Sequence, residues 1–252
     1  MNIYETSRFS ICGLMIYLLL ATAVADDENG GRQKIVQYGK MHEVVGQQQH
    51  QGRVALSDLI KRPGFLAVAA IEGLQGEATI FNGQVTVTTV GADGKPEPAE
   101  NPASKKAALL VGAYVASWND HTWDRDASAD ALDSRIESVA AAAGLNIEQP
   151  FLFVIEGEFA DVRLHVINGA CPIRARMKKT TIPEDKQPFE GEMSKVTGRI
   201  VGVFAKDAVG DMTHPATSMH MHLLYRDPAT GKMLTGHLEQ VAVSRGATLR
   251  LP

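Results

Sequence analysis

From residue 54 onward the chain reads as short apolar segments cut by tight turns, and one stretch holds a helical repeat over several turns. Leu56, Ser57, Asp58, Leu59 and Ile60 predict a short helix stopped by Pro63 and Gly64, and the apolar run 65–71 predicts a buried strand. Gly73 and Gly76 turn the chain into a strand over 77–81, and Asn82-Gly83 closes a hairpin onto 84–88. A loop over 91–104, with Pro96, Pro98 and Pro102, precedes a further strand or buried segment at 107–118. Residues 128–143 place Leu132, Ile136, Val139 and Ala143 on one helical face, with Ser128 to cap the start and Gly144 the end.

Two more strands follow at 151–156 and 162–167, and Asn168-Gly169 predicts a two-residue hairpin. In that register His165 faces Pro172 and Arg163 faces Arg174. Alternation then puts Val162, Leu164, Val166, Cys171, Ile173 and Ala175 on the core face, and Arg163, His165, Arg174 and Arg176 in a basic cluster on the other. The polar stretch 178–193, with Pro183 and Pro188, reads as a linker, and a second sheet begins at 196–204. This divides the chain into an N-terminal mixed-sheet domain over 53–190 and a C-terminal sheet domain over 191–252.

The N-terminus is of another kind. Arg8 precedes a charge-free run over 9–25 that ends in Ala23-Val24-Ala25, directly ahead of Asp26-Asp27-Glu28. That order is the one a secretory signal has, and the run is shorter than the ~20 residues a spanning helix needs. Residues 1–25 are therefore expected to be a signal peptide cleaved after Ala25, leaving an exported protein, periplasmic or secreted, with no stable membrane anchor. Residues 26–52 are polar, include Gln47-Gln48-Gln49, and read as a poorly ordered leader. Cleavage removes Cys12 and leaves Cys171 alone, so no intramolecular disulfide can form and stability must come from the core.

With 252 residues, 44% apolar and 21% charged, the chain has the make-up of a globular protein. The net charge of −4 and the absence of any long basic block argue against a nucleic-acid partner.

The chemistry concentrates near the C-terminus. On a strand over 219–225, the period of two places His220 and His222 on one face, with Met219, Met221 and Leu223 on the other. Asp227 to Lys232 predicts a hairpin with the four-residue loop 228–231 and Gly231 in the left-handed conformation. Carried outward, that register pairs 222 with 237 and 220 with 239, so His222 and His237 become cross-strand neighbours. Three imidazoles on one face suit a divalent metal with an open position for a substrate. A His-x-His pair alone is a common surface or core feature, and it is the third histidine at matching register that favours a metal. His42, His50 and His121 stand in polar surroundings and read as solvated, and His214 as a loop residue.

The segment 196–204, followed by His220-Met221-His222 and His237, resembles the C-terminal half of the acetolactate decarboxylase family. Leu56-Ser57-Asp58-Leu59 with Gly73-Leu74-Gln75-Gly76-Glu77 is similar to that family's N-terminal motif. The resemblance implies an α/β (α+β) protein of two mixed-sheet domains with few helices, commonly dimeric. It implies zinc, or a similar divalent transition metal, held by His220, His222 and His237 with Glu77 beside it, and decarboxylation of 2-acetolactate to acetoin. Three positions depart from the family pattern. His165 stands where a substrate-binding arginine is expected, Ala70 where a threonine is, and the chain stops at 249–252 without a counterpart to a C-terminal glutamate. Arg163 or Arg174 could then hold the carboxylate of a small hydroxy-keto acid, with His165 alongside, or these arginines could be solvated strand charges. Two alternatives remain: an exported metalloprotein of the same fold acting on another hydroxy-keto acid, and a non-catalytic zinc- or ligand-binding protein.

Overall fold

In the computed structural model, which describes residues 34–215 and 217–252, the chain forms two antiparallel sheets with few helices. The expected signal sequence and residues 26–33 of the leader lie outside the described residues. No helix among the described residues is long and apolar enough to cross a membrane.

The first sheet takes β1 (Val36–Tyr38), β2 (Val54–Ala55), β3 (Phe65–Ile71), β4 (Glu77–Phe81), β5 (Gln84–Val90), β6 (Pro96–Pro98) and β7 (Lys106–Tyr114). Its order is β1-β7-β3-β4-β5-β6, with β2 also on β7. Every residue of β3 is buried because both faces of the strand are covered. Phe65, Ala67, Ala69 and Ile71 pack against α1 (Leu56–Leu59), while Leu66 and Val68 pack against the second sheet. The strand is therefore continuously apolar, with no polar alternation. Asn82 and Gly83 both have positive φ, 50° and 77°, which is the turn an Asn-Gly hairpin needs.

The second sheet takes β8 (Asn119–Thr122), then, after α2 (Ala129–Ala142), β9 (Phe151–Val166). Past α3 (Pro172–Lys178) come β10 (Phe189–Phe204), β11 (Met219–Arg226), β12 (Met233–Val243) and β13 (Thr248–Leu251). β9 carries β10 along one edge and β12 and β13 along the other, while β11 bridges β10 to β12, so β9, β10, β11 and β12 close into a ring. Leu132 and Ile136 of α2 pack under it with Phe153, Phe159 and Leu223. Leu152, Val154, Val201 and Val203 point the other way, to the first sheet.

Several expectations are corrected. Residues 34–52 are not a loose leader, since β1 pairs with β7 and Met41 and Val44 are buried. The segments at 151–156 and 162–167 are one strand of 16 residues, with Asp161 at φ 49° in its middle. Asn168-Gly169 does not make a hairpin. Cys171 caps a helix whose first residue is Pro172 and whose last turn carries Arg176 and Lys178. Proline lacks the N–H a strand partner needs but fits a helix start, and cations suit a helix end. Cys171 is buried as expected, though at a helix cap and not on a strand. The supposed linker 178–193 already contains the start of β10. The two sheets divide between β7 and β8 and not at 190/191, because β9 takes all its partners from the second sheet. All strand ladders are antiparallel, where mixed sheets were expected.

Candidate metal centre

The β11–β12 hairpin has the expected register. Asp227 N–H donates to Lys232 O at 2.9 Å, Gly231 has φ 69°, and His222 lies opposite His237. Met219, Met221 and Leu223 go under α2, which leaves His220 and His222 on the opposite face. His220, His222 and His237 are all buried, and one nitrogen from each lies within 4.8 Å of the others.

Backbone carbonyls orient two of the rings. His222 Nδ1–H donates to Ala78 O at 3.0 Å, with Thr79 Oγ1 at 3.2 Å, and His220 Nδ1–H donates to Met212 O at 3.1 Å. This leaves each Nε2 with a lone pair, and that of His222 is fully buried with no hydrogen-bond partner. An unpaired buried acceptor is costly unless something occupies its lone pair. A divalent ion does so, and an outer carbonyl on the other ring nitrogen is the usual support for a metal-binding histidine. Burial drives the His222 and His237 pKa values well below the ordinary imidazole value, with neighbouring imidazoles adding to it. Burial also takes His220 down to about 4. The rings are thus neutral at physiological pH, the state that binds metal. The cluster fits a metal, and its donor set of three imidazoles suits zinc or a neighbouring transition ion.

The first sheet contributes the acid. Glu77 opens β4 on the face toward the second sheet, with Oε2 at 3.5 Å from His222 Nε2 and Oε1 at 3.9 Å from His165 Nε2. Burial pushes its carboxyl well above the ordinary range, against a hydrogen bond from the Ile167 backbone. Thr79, two residues on, bonds Thr235 Oγ1 at 2.6 Å and so ties β4 to β12. Ala70 is the direct cross-strand neighbour of Glu77, so a methyl group stands where a hydroxyl was expected from the family pattern.

His165 pairs across the strands with His237, their ring centroids 4.8 Å apart. Its Nδ1 is 2.8 Å from Glu239 Oε1. Glu239 is the extra residue of a β-bulge, since Leu238 faces Leu164 and Gln240 faces Arg163. The bulge takes Glu239 out of simple alternation, and pairing between β11 and β12 ends at His222–His237, so the expected 220–239 pair does not form. Burial raises the Glu239 carboxyl, but the hydrogen bond and charge of His165, with Arg176, outweigh it and hold it at about 2. His214 is buried too, its ring 5.0 Å from that of His237. Burial and the nearby imidazoles of His220 and His165 lower it to about 3.

The basic cluster expected around His165 assembles in part, since Arg163 and Arg176 converge on Glu239, the partner of His165, while Arg174 does not join them. Arg163 is half exposed with Nε 3.6 Å from Glu239 Oε2, Arg174 on α3 donates to Gly46 O at 3.4 Å, and Arg176 pairs with Glu239 and Glu190. The chain thus brings Glu77, His165, His220, His222 and His237 together and directs Arg174 elsewhere. Sequence reasoning missed Glu239, Thr79 and Thr235 as parts of the site. The period of two from His237 pointed at Glu239, while the threonines reach the histidines only through the packing of the two sheets.

Comparison with known proteins follows this geometry. The family model described as alpha-acetolactate decarboxylase matches residues 35–251. Among solved structures, alpha-acetolactate decarboxylase from Bacillus subtilis strain 168 superposes with a TM-score of 0.64 at 18% identity, covering 86% of this chain and 84% of that one. The acetolactate decarboxylase of Bacillus subtilis subspecies spizizenii gives 0.64 at 17% identity, covering 86% and 85%. A Staphylococcus aureus protein of unknown function, described as similar to alpha-acetolactate decarboxylase, gives 0.59 at 15% identity, covering 86% and 84%. No curated protein matches the sequence.

Proposed function

Because the chain belongs to the alpha-acetolactate decarboxylase family, we propose that it is a metal-dependent carboxy-lyase that converts 2-acetolactate to acetoin, with zinc held by His220, His222 and His237. The observation that carries this reading is the lone pair of His222 Nε2, buried without a partner in a cluster of neutral imidazoles beside the Glu77 carboxyl.

Decarboxylation breaks the bond from the carboxylate carbon to the hydroxyl-bearing carbon and leaves that electron pair spread toward the neighbouring keto group. A bound divalent ion would supply Lewis-acid withdrawal of this charge. The remaining requirements fall to the chain. Thr79, Ala78 O and Met212 O hold His222 and His220 in the required tautomer and orientation. Closure of the site between the two sheets keeps Glu77 buried, and its raised pKa makes it a proton carrier at neutral pH. Glu77 delivers that proton to the carbon that lost CO2, which yields the hydroxyketone. His165, fixed by Glu239, faces the same carboxyl from the other side and offers its Nε2 as a hydrogen-bonding contact to substrate.

The test is the appearance of acetoin when residues 26–252, the chain without its expected signal sequence, are incubated with 2-acetolactate. Acetoin release that a chelator abolishes supports the reading. A metal-loaded sample that leaves 2-acetolactate and its homologues unchanged favours a non-catalytic binding protein.

A further inference from the structure

Where β11 and β12 part beyond the His222–His237 pair, a cavity of about 380 Å³ opens. Its lining joins two sides of the sheet that a continuous ladder would keep apart. His214, His237 and Glu239 border it from the histidine side, and Leu132, Met219 and Met221 from the side under α2. α3 supplies the outer wall, through Ile173 and Met177. Asp133, Arg176, Thr217 and Gln240 also stand in the wall, but between the histidine end and α3 the larger part of the lining is apolar and includes three methionines, a side chain that adapts to varied apolar shapes.

The size is informative. At roughly 30 Å³ for a water-sized group, the cavity holds about a dozen such groups. The 2-methyl group of 2-acetolactate would leave most of it empty, and sites for small ligands are generally filled closely.

We propose that this cavity receives the apolar substituent on the hydroxyl-bearing carbon, so that the preferred substrates are 2-hydroxy-3-keto acids whose 2-alkyl group is longer than methyl or ethyl. The inference rests on the decarboxylase reading for its reaction, and on the cavity alone for its chain-length preference. The acid, hydroxyl and keto groups stay at the histidine end, where His214 lines the passage with no hydrogen bond to its ring among the described residues. The alkyl chain runs between Met219, Met221 and Leu132 toward Ile173 and Met177. Each methylene buried there strengthens binding about fourfold.

The experiment measures CO2 release from 2-hydroxy-2-alkyl-3-ketobutanoates with methyl, ethyl, propyl and butyl groups. In parallel, calorimetry follows binding of the unreactive 2-hydroxy-2-alkyl acids of the same lengths to the metal-loaded protein. Expected is a rise in kcat/KM, and in affinity of the unreactive acids, of roughly sixtyfold from methyl to butyl. Ile173→Trp and Met177→Trp, which fill the outer end, flatten that rise. Met177 is 58% exposed, so its replacement leaves the packing in place even if Ile173→Trp disturbs it. Turnover of the methyl substrate with no gain along the series overturns the inference and leaves the decarboxylase reading standing. Chain-length-dependent binding without CO2 release from any member supports the cavity assignment and removes the reaction. Binding that ignores chain length overturns the cavity assignment whatever the turnover.

Discussion

Acidifying the metal-free protein from pH 6.5 to pH 5 will cost it about 3 kcal/mol of stability, because the site keeps its histidines neutral. His214 and His220 are held at about 3 and about 4 by burial, against 6.5 for an exposed imidazole. Over this interval the unfolded chain takes up a proton at each that the folded chain refuses. The stabilising balance is whole above pH 6.5 and is lost as pH falls, levelling off near the folded pKa values. One proton is worth about 1.4 kcal/mol per pH unit, but the unfolded imidazole is only half protonated at pH 6.5, so the 1.5 units give about 1.6 kcal/mol per histidine. His222 and His237 are shifted in the same direction and add to the loss. Glu77 acts in the opposite sense, since its raised pKa lets the folded state gain a proton first, but it is a single group against two further histidines. Glu239, held low at about 2, begins to cost stability only below pH 4.5 and leaves this window untouched. Urea unfolding of chelated protein at pH 6.5, 5.8 and 5.0 measures the slope, and His214→Gln will reduce it by about 1 kcal/mol per pH unit. A metal-free protein equally stable at both ends of the window, or more stable at pH 5, would refute the burial of neutral imidazoles on which the site depends.

Glu77→Gln keeps the shape of the buried carboxyl but cannot carry its proton, so turnover will fall roughly 10²–10⁴-fold with metal content unchanged; wild-type turnover would reduce Glu77 to a structural role. Thr79→Val leaves Thr235 Oγ1 without its partner and loosens His222, and will cost about 1–3 kcal/mol by urea unfolding and roughly 10–100-fold in metal affinity by competition with a chelator. Cys171→Ala will cost about 1 kcal/mol as a small core truncation and leave activity intact, because burial pushes the thiol up to about 11 and keeps it unreactive; a tenfold loss of turnover at full metal content would contradict this.

The parts of the fold legible in the sequence are those set by local period and turn chemistry. β3 announced itself as an apolar run, α2 by its helical repeat, and the Asn82-Gly83 and Pro228–Gly231 turns by residues that tolerate left-handed backbone. The His222–His237 pairing followed from counting outward from the second turn. The errors have local causes as well. Asn168-Gly169 carries the strongest hairpin signal, yet Pro172 and the cations at 176 and 178 are the marks of a helix, and the helix won. The length of β9 was hidden by Glu156, Glu158 and Asp161, polar residues near the point where its partner changes from β13 to β12. Glu239 stood at the period of two from His237, but its contact with His165 depends on a bulge that periodicity does not show, and Thr79 escaped because its partners lie 143 and 156 residues away. The histidine triad was legible because all three imidazoles sit on one hairpin, whereas the groups around them come from separate strands and needed the packing of the two sheets.

The most direct test of the central claim is a zinc titration of the chelated protein followed by acetoin release from 2-acetolactate. Activity will rise linearly and break at one equivalent of zinc per chain, and His222→Ala will show neither the break nor tight zinc binding, since two imidazoles hold the ion far more weakly than three. Full turnover in the metal-free chain, or one tightly bound zinc retained in His222→Ala, would contradict the account.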